Sequence, residues 1–393
     1  MKNQRPSLLL IFLLLSITTN VVAREIKIGM TTALSGPASA LGQGMKQGVE
    51  AYFHKINKSG GLKGASLKLV ALDDKYEPNL AAPNMRRLIE KENVLAVIGN
   101  VGTPTAIVTV PIANEEKTLL FGAFTGAGVL RKSPPDRYVI NFRASYEEET
   151  AAMISGLLNA GIKPKEIAFF TQRDGYGDAG YNGAIKALAA AGFTDTQKLA
   201  HGRYTRNTLN IENALAKILD SAVEPKAVIM VGAYAPCAKF IKLAKRQLPN
   251  SLFLNVSFVG SNALANELDS SGDGVVVTQV VPHYESDLPA VKEYTSALKD
   301  FDPRAEPGFV SLEGYLTAKL FVEGLKKVAN NPTRENIIDA MESLKKIDIG
   351  LGTEFSFSKS DHQASHKVWP TRITGKTFVT FEWLDLKTKL AKF

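Results

Sequence analysis

The sequence is poor in cysteine, and after its first residues it has no apolar run long enough to cross a membrane. Its one cysteine, Cys237, excludes an intrachain disulfide and a cysteine-rich metal site. Among 393 residues there are only 31 glycines and 18 prolines, which excludes collagen-like and low-complexity chains. With 45% hydrophobic and 22% charged residues, the chain is globular and long enough for two or three domains of about 150 residues.

The start of the chain has the pattern of a secretory signal peptide. Lys2 and Arg5 precede an apolar run at residues 8–17, and small side chains at residues 21–23 end in Ala23, which signal peptidase accepts. A membrane anchor is the alternative, but this run is half of the roughly 20 residues that a spanning helix needs. We expect cleavage after Ala23, export to the periplasm and no lipid anchor, because no cysteine stands at the cleavage point.

The basic residues are too scattered to form a nucleic-acid surface. The formal net charge is +8, and the densest spots are at Lys242, Lys245, Arg246, Lys345 and Lys346. A solvated helix face explains these spots better than a phosphate-binding stripe. We therefore expect no nucleic-acid partner.

Short apolar runs alternate with helical patterns along the chain, as in a parallel α/β sheet. The first set predicts strands at residues 26–32, 67–72, 94–98 and 118–121, and helices at residues 41–58, 79–92 and 103–116. The second set predicts strands at residues 167–171, 199–201, 227–231 and 256–259, and helices at residues 177–191, 209–221 and 237–247. A further strand is predicted between the sets, at residues 138–143, and two later strands that could return and recross are predicted at residues 275–281 and 355–357. The fold class is therefore α/β, with two doubly wound lobes joined by short crossings.

The motifs of common nucleotide-binding and hydrolytic enzymes are absent. Gly375-Lys376-Thr377 resembles the end of a phosphate loop, but Pro370 stands where that loop needs glycine. No Gly-x-Ser-x-Gly elbow occurs, and its nearest counterpart at residues 122–126 has no nucleophile at its centre. The sequence therefore disfavours both a phosphate-loop nucleotide-binding protein and a serine hydrolase.

Two further groupings were candidates for metal or acid-base chemistry. His362 and His366 have the i, i+4 spacing of helical metal ligands, but residues 358–366 predict a polar surface loop without the glutamate of a zinc protease motif. Asp73 and Asp74 are adjacent in a predicted strand, so they point to opposite faces and suit structural roles at its end. We expect no metal, no cofactor and no catalytic residue.

Three loops follow predicted strands at the edge where α/β sheets bind ligands, at residues 99–105, 122–126 and 173–178. Thr103 and Thr125 offer hydroxyls beside the free N–H groups of a helix start, which suits a small anion such as a carboxylate. An N-cap threonine beside a glycine turn is an equally good interpretation. Tyr176 places an aromatic ring where the second lobe would face the cleft.

A series of short motifs occurs in an order and spacing that resembles one protein family. They are Ile28-Gly29-Met30 to Ser35-Gly36-Pro37, Gly42, Gly48, Leu72-Asp73-Asp74, Ala96-Val97-Ile98-Gly99 and Gly175-Tyr176-Gly177. This set resembles the branched-chain amino acid family of periplasmic solute-binding proteins, which are the ligand-binding subunits of ABC importers. The resemblance runs from about residue 26 to the end of the chain, where residues 352–357 and Asp361-His362 resemble the last crossover of the family.

The resemblance implies a type I periplasmic binding protein fold. In this fold two α/β lobes are joined by three hinge crossings and close on a ligand. One lobe would comprise residues 24–143 with 281–352, and the other residues 144–280 with 353–393.

The resemblance also implies which residues bind the ligand. Positions matching Thr103, Ala123 and Thr125 hold the ligand carboxylate in the family, and aromatics matching Tyr176 and Tyr234 close from the second lobe. A packing role at the cleft edge is the alternative for Tyr234. The full set of expected ligand-binding residues is Leu41, Thr103, Thr105, Ala123, Phe124, Thr125, Tyr176, Tyr234 and Asn262.

Two positions depart from the family pattern. The acidic residue that pairs with the ligand ammonium in amino acid binders is replaced by Ser261-Asn262, and a tryptophan of some members is matched by Leu41. A buried ammonium would lack a counter-ion unless Asp174 or Glu313 reaches it. An amino acid therefore stays one candidate ligand, beside a carboxylate without an ammonium, an amide or an aromatic acid.

These features together predict a monomeric solute-binding protein that is not an enzyme. It would capture a small amino acid or organic carboxylate and deliver it to a membrane ABC permease. A periplasmic sensor that presents the closed form of the same fold to a signalling receptor is the first alternative, and the sequence does not separate the two. A periplasmic enzyme on a related fold is the second alternative, which the missing nucleophile, base and metal ligands disfavour.

Overall fold

The computed structural model describes residues 24–386 of the 393-residue chain. The predicted signal peptide, residues 1–23, lies outside the described residues. Over the described range, no helix combines the length and the apolar character that crossing a membrane requires.

The first part of the chain forms a five-stranded parallel sheet with the order β2-β1-β3-β4-β5. Its strands are β1 (Glu25–Thr32), β2 (Ser66–Asp73), β3 (Ala96–Ile98), β4 (Leu120–Phe121) and β5 (Val139–Ile140). Its connecting helices are α1 (Ser39–Lys58), α2 (Pro78–Glu90) and α3 (Thr103–Glu115). The β3 residues are all buried, as expected when crossover helices cover both faces of a parallel sheet.

The chain then builds a second sheet, which it enters through α4 (Tyr146–Asn159). A capping box between Ser145 and Glu148 starts this helix, with each side chain bonded to the backbone N–H of the other residue. The elements that follow are β6 (Ile167–Gln172), α5 (Gly175–Ala190), β7 (His201–Tyr204), α6 (Glu212–Leu219), β8 (Ala227–Val231), α7 (Tyr234–Ala244), β9 (Leu252–Asn255), α8 (Ser261–Leu268) and β10 (Val276–Gln279).

After β10 the chain returns to the first lobe through α9 (Pro289–Phe301), α10 (Phe309–Val328) and α11 (Arg334–Glu342). Helix α10 packs closely on α1 at Gly48, where there is no room for a side chain: an added Cβ atom would lie only 1.9 Å from the Ser311 carbonyl oxygen. A small hairpin follows, made of β11 (Ile347–Asp348) and β12 (Glu354–Phe355).

The last two strands complete the second sheet. They are β13 (Trp369–Thr374) and β14 (Thr377–Thr380), and the sheet order is β14-β13-β10-β9-β8-β6-β7. The chain therefore crosses between the sheets three times: after β5, after β10 and after β12. This confirms the predicted class of two α/β lobes joined by three crossings, while the residue boundaries of the lobes stay a prediction.

Several predicted elements differ from the structure. The predicted strand at 256–259 is wrong, since β9 ends at Asn255 and Ser257–Val259 form a 3-10 turn. This run is apolar because the turn is buried, and apolar character alone does not separate a buried turn from a strand. The sequence analysis also missed β13 and β14, which are antiparallel and joined by a tight turn at Gly375 and Lys376, the site of the apparent phosphate-loop motif.

The segment at residues 358–366 is a loop, as predicted, but it does not lie wholly on the surface. His362 is buried, with Nδ1 2.8 Å from the Val139 carbonyl oxygen and Nε2 3.2 Å from Glu342 Oε1. His366 is exposed instead and lies 2.6 Å from Glu148 Oε1. The two imidazoles therefore take separate structural partners.

Candidate ligand-binding site

The loops after β3 and β4 bring two predicted hydroxyls together at the carboxyl edge of the first sheet. Thr103 begins α3, after Gly102 with a φ of 107°, and Thr125 follows β4. Both are buried, and their Oγ1 atoms lie 2.7 Å apart. Because one hydroxyl donates to the other, one O–H of the pair is left to donate to a ligand oxygen.

The other predicted residues of these loops serve the backbone or the apolar lining. Thr105 donates to the carbonyl oxygens of Val101 and Gly102 at 2.5 and 2.9 Å, so its hydroxyl closes the loop before α3. Ala123 is buried, and its carbonyl oxygen accepts a hydrogen bond from the Thr125 N–H at 2.8 Å.

An aromatic cluster fills the space between the lobes. Its members are Tyr76, Phe124, Tyr146, Tyr176 and Phe258. Phe258 lies at the centre, with ring centroids 4.5 Å from Tyr176, 5.3 Å from Phe124 and 5.9 Å from Tyr76. Tyr76 and Phe124 follow strands of the first sheet, whereas Tyr176 and Phe258 follow strands of the second. The lobes therefore meet through aromatic rings.

Arg143 lies beside this cluster, at the first crossing between the lobes. Its side chain is completely buried, and its guanidinium carbon lies 4.7 Å from the ring centre of Phe124 and 5.9 Å from that of Tyr146. Nη2 donates to Ser257 Oγ, while Nε and Nη1 have no hydrogen-bond partner. A buried cation with two unused donor atoms is unusual, because burial of an unpaired charge is costly.

Two buried carboxylates face Arg143. Glu149 Oε1 lies 3.5 Å from Nη2, and Glu313 Oε1 lies 3.6 Å from Nε. Burial raises the pKa of Glu313 to about 7, although the Arg143 charge acts in the opposite direction. Burial likewise raises the pKa of Glu149, against Arg143 and hydrogen bonds from Ser257 and Thr278.

The tyrosine hydroxyls of the cluster have different partners. Tyr176 donates to the Gly232 carbonyl oxygen at 3.3 Å, and Tyr76 accepts from Gln172 Nε2 at 3.2 Å. Burial raises the pKa of Tyr146 to about 12, against the nearby Arg143 charge and Thr125 hydroxyl. The Tyr146 hydroxyl makes no hydrogen bond of ordinary geometry. It is therefore a second donor group, near the threonine pair, with no firm partner.

The remaining predicted residues lie together at a different part of the cleft. Leu41 and Tyr234 approach each other at Gly260, where an added Cβ atom would be 2.5 Å from Leu41 Cδ2 and 3.4 Å from Tyr234 Cδ1. Asn262 Oδ1 accepts a hydrogen bond from the Phe309 N–H at 3.4 Å. A cavity of about 440 Å³ lies here, lined by Leu41, Gly260, Asn262 and residues of α1 and α10.

A polar bridge joins the lobes at the opposite part of the cleft. Arg206 of the second lobe lies 2.7 Å from Glu77 Oε2 in the first lobe and 3.2 Å from Asp174 Oδ2. Asn207 Nδ2 donates to Glu77 Oε1 at 2.7 Å. With the buried aromatic cluster, this bridge shows that the structure has the closed arrangement of the lobes.

Sequence analysis missed several residues of this site: Tyr76, Arg143, Tyr146, Arg206 and Phe258. Tyr76 follows β2 and Phe258 follows β9, so the rule that located the threonine loops applied to both. Phe258 was missed because it lay inside the strand wrongly predicted at 256–259, and not in the loop after a strand. Arg143 lies inside the predicted strand at 138–143, and no sequence signal shows that a charged residue there is buried.

Comparisons with known proteins agree with this architecture. The family described as periplasmic binding protein matches residues 25–377. The Leu/Ile/Val-binding protein BraC3 of Rhizobium johnstonii is 25% identical over 337 residues, which cover 84% of this chain and 86% of that protein. The crystal structure of a possible leucine/isoleucine/valine-binding protein from Rhodopirellula baltica is 49% identical, with a TM-score of 0.91, and covers 94% of this chain and 99% of that one.

A more distant structure shares the fold alone. It is a solute-binding protein of an ABC transporter from R. palustris in complex with 4-hydroxybenzoate, 19% identical with a TM-score of 0.76, covering 91% of this chain and 96% of that one. The matching family consists of solute-binding proteins that act in the periplasm and are not enzymes. Because the match spans nearly all of the described residues, this chain belongs to the periplasmic binding protein family, of the Leu/Ile/Val-binding type.

Proposed function

We propose that this protein is the solute-binding subunit of an ABC importer and that it captures a small amino acid or organic carboxylate between its lobes. The observation that carries the proposal is the buried Thr103–Thr125 hydroxyl pair, which lies at the carboxyl ends of β3 and β4. A carboxylate there would accept the free hydroxyl proton and lie near the N-terminus of α3.

Closure follows from the same geometry. The three crossings allow the lobes to separate, and contacts between Phe258 and the first-lobe rings form only when they approach. A ligand that binds both lobes therefore shifts the population toward the closed form. Support for delivery to a permease comes from the shared fold of the R. palustris ABC transporter protein.

The test is a ligand screen on the mature protein, after unfolding and refolding have removed any carried ligand. Thermal unfolding is measured with amino acids, their amides, aliphatic carboxylates and aromatic acids. A ligand at 100 times its Kd adds about 2.7 kcal/mol to the free energy of unfolding, which raises the midpoint by several degrees. If no compound in the panel shifts the midpoint, the proposed ligand class is wrong.

Transport is tested separately in the source cell. Deleting the gene should abolish uptake of the radiolabelled ligand found in the screen, and the wild-type gene should restore it. Normal uptake combined with loss of a ligand-dependent response would contradict the importer role and support the sensor alternative.

A further inference from the structure

Arg131 connects the loop that carries Thr125 to the crossings between the lobes. Its partly buried guanidinium donates four hydrogen bonds. Nη1 donates to the carbonyl oxygens of Thr125 and Ala127, at 3.3 and 3.1 Å. Nη2 donates to the Arg143 carbonyl oxygen in the first crossing at 2.9 Å, and Nε donates to Gln363 Oε1 in the third crossing at 2.7 Å. One side chain therefore holds the loop and two of the three crossings.

The first and third crossings are also bonded to each other and form one hinge. The Asn141 N–H donates to the His362 carbonyl oxygen at 2.7 Å. The Ala364 N–H donates to the Asn141 carbonyl oxygen at 3.0 Å, and the Ser365 N–H donates to the Phe142 carbonyl oxygen at 2.9 Å. Because lobe rotation changes the backbone torsions of the crossings, a change in one of these two is passed to the other.

Gln363 extends the connection to the second lobe. Its Oε1 accepts from Arg131, while its Nε2 donates to Glu148 Oε2 in the first turn of α4 at 3.0 Å. Glu148 is also the residue whose capping box with Ser145 starts α4. A continuous chain of hydrogen bonds therefore runs from the Thr125 carbonyl oxygen, through Arg131 and Gln363, to the first helix of the second lobe.

The Thr125 loop sets the position of a hydroxyl in the proposed binding site. Thr125 Oγ1 accepts from the Ala127 N–H at 3.3 Å and lies 2.7 Å from Thr103 Oγ1. Arg131 bonds the carbonyl oxygens of both Thr125 and Ala127, so it fixes the backbone from which this hydroxyl projects. Since the same guanidinium bonds both crossings, a rotation of the lobes that shifts the crossings also shifts the loop.

We propose, building on the proposed function, that Arg131 is a positioning residue that couples the Thr125 loop to the hinge, so that ligand binding and lobe closure favour each other. Arg131 acts through Thr125 and Gln363 and not by touching the ligand. The coupling is reciprocal: a ligand that fixes the loop favours closure, and closure fixes the loop.

The first experiment measures hydrogen exchange in the unliganded protein at two sets of hydrogen-bonded amides. The loop set is Thr125 and Ala127, and the hinge set is Ala364 and Ser365. Arg131→Met should speed exchange by about tenfold or more in both sets, although the guanidinium bonds none of these four N–H groups. Unchanged exchange in the hinge set would show that Arg131 supports the loop alone and would overturn the coupling.

Gln363→Leu breaks the chain of hydrogen bonds at its other end, and it keeps the test available if Arg131→Met does not fold. It should speed exchange in the loop set, although Arg131 stands between Gln363 and that loop. The double variant should exchange no faster than Arg131→Met alone, because both changes break one chain. Effects that multiply in the double variant would show that the two residues act independently and would overturn the coupling.

Arg334→Met is the matched control. Arg334 is a partly buried arginine of the first lobe that likewise donates to two carbonyl oxygens, those of Ile89 and Val94, and to one side-chain amide oxygen, Asn93 Oδ1. These acceptors lie outside the crossings and the ligand-binding loops. Arg334→Met should therefore leave exchange in both amide sets unchanged. Equal acceleration in Arg334→Met and Arg131→Met would show a general loss of stability and would overturn the specific role of Arg131.

The second experiment measures affinity by calorimetry with two probes of similar shape, L-leucine and isocaproate, which is leucine without its amino group. Arg131→Met should weaken binding of the probe that the wild-type protein prefers by about tenfold, while Arg334→Met should keep the wild-type affinity. Wild-type affinity in Arg131→Met would overturn the positioning role. If the wild-type protein binds neither probe, the result counts against the ligand class of the proposed function, and the exchange measurement alone decides whether Arg131 couples the loop to the hinge.

Discussion

Glu313 shows how strongly one buried side chain can depend on its surroundings. It is almost completely buried on α10 and faces the Arg143 guanidinium, yet burial raises its pKa from 4.5 to about 7. The cost of desolvating the carboxylate therefore exceeds the attraction of the guanidinium. Its protonation state changes near neutral pH, the range in which an exported protein works.

This shift predicts a pH-dependent stability. Between pH 4.5 and about 7, the folded protein holds a proton on Glu313 that the unfolded chain has released. The contribution of Glu313 to the free energy of unfolding therefore falls by up to about 3 kcal/mol as the pH rises through this window. Glu313→Gln should remove that fall. Denaturant unfolding of both proteins at pH 5 and pH 8 measures the difference, and an equal change in both would refute the assignment.

The threonine pair predicts a loss of affinity with little loss of stability. Thr103→Val or Thr125→Val keeps the shape of the side chain but removes the hydroxyl that would donate to the ligand. Either change should weaken ligand binding by about 1 to 3 kcal/mol. Thr109→Val, on the same helix as Thr103, is the matched control and should leave affinity unchanged. Calorimetry with the ligand from the screen decides, and full affinity in both cleft variants would remove this pair from the site.

At the residue scale, sequence analysis succeeded where position in the fold carries the information. Thr103 and Thr125 were found because they follow predicted strands in a sheet whose binding edge is known. Arg143 and Glu149 were not found, because their burial depends on Ser257 and Thr278, more than a hundred positions away in sequence. Long-range partners of this kind leave no local pattern.

The turn between β9 and α8 is the element on which closure depends most visibly. It ends at Gly260, which has a φ of 81° and contacts Leu41 of α1 in the other lobe. An element of the second lobe therefore reaches the first lobe at a residue without a side chain.

Gly260→Ala should oppose closure. The left-handed backbone costs about 1 kcal/mol with alanine, and the new Cβ atom would lie 2.5 Å from Leu41 Cδ2. Gly192→Ala is the matched control, because Gly192 has a φ of 88° and no atom within 4 Å of an added Cβ. Both variants should lose similar stability in denaturant unfolding, but only Gly260→Ala should also weaken ligand binding. Equal affinities in the two variants would contradict the role of this contact.

At the element scale, strands were predicted more accurately when their residues form a buried apolar run. The strand at 227–231 matches β8 residue for residue, because both of its faces are covered and the run is wholly apolar. The predicted strand at 199–201 was displaced toward the amino end, since β7 spans His201–Tyr204. This strand lies at the edge of the second sheet, and its polar residues give no apolar run.

In the whole molecule, the bridge from Arg206 to Glu77 is a polar contact between the two lobes. Arg206 is partly buried, and its guanidinium also lies 5.9 Å from the ring centre of Tyr76. The bridge therefore joins the two lobes at the edge of the aromatic cluster.

Removing this bridge should speed ligand release. Arg206→Gln loses the pairing with Glu77 and Asp174, so the open form becomes more populated and the dissociation rate rises by a few-fold. Arg203→Gln is the control, because Arg203 pairs with Asp178 inside the second lobe. Stopped-flow displacement measures the rates, and small-angle scattering measures the radius of gyration without ligand. An unchanged rate and radius in Arg206→Gln would show that the bridge contributes nothing to closure.

At this scale the sequence predicted the architecture well and the closed contacts poorly. Alternating runs and ordered motifs identified two lobes and their crossings, because each run reports its own burial. The aromatic cluster joins Tyr76, Tyr146 and Phe258, which are far apart in the sequence, and no periodicity relates them. The assembly of a cleft is a property of the tertiary structure.

The three crossings also determine when the chain can fold during synthesis and export. The second sheet is unfinished until β13 and β14 arrive near the end of the chain, and α1 stays uncovered until α10 has been made. Neither lobe is complete in a nascent chain, so contacts of high sequence separation must form last and folding is slow. Each lobe can therefore acquire its native packing only after the final strands and α10 have been made, so truncation near the end of the chain would leave both lobes incomplete.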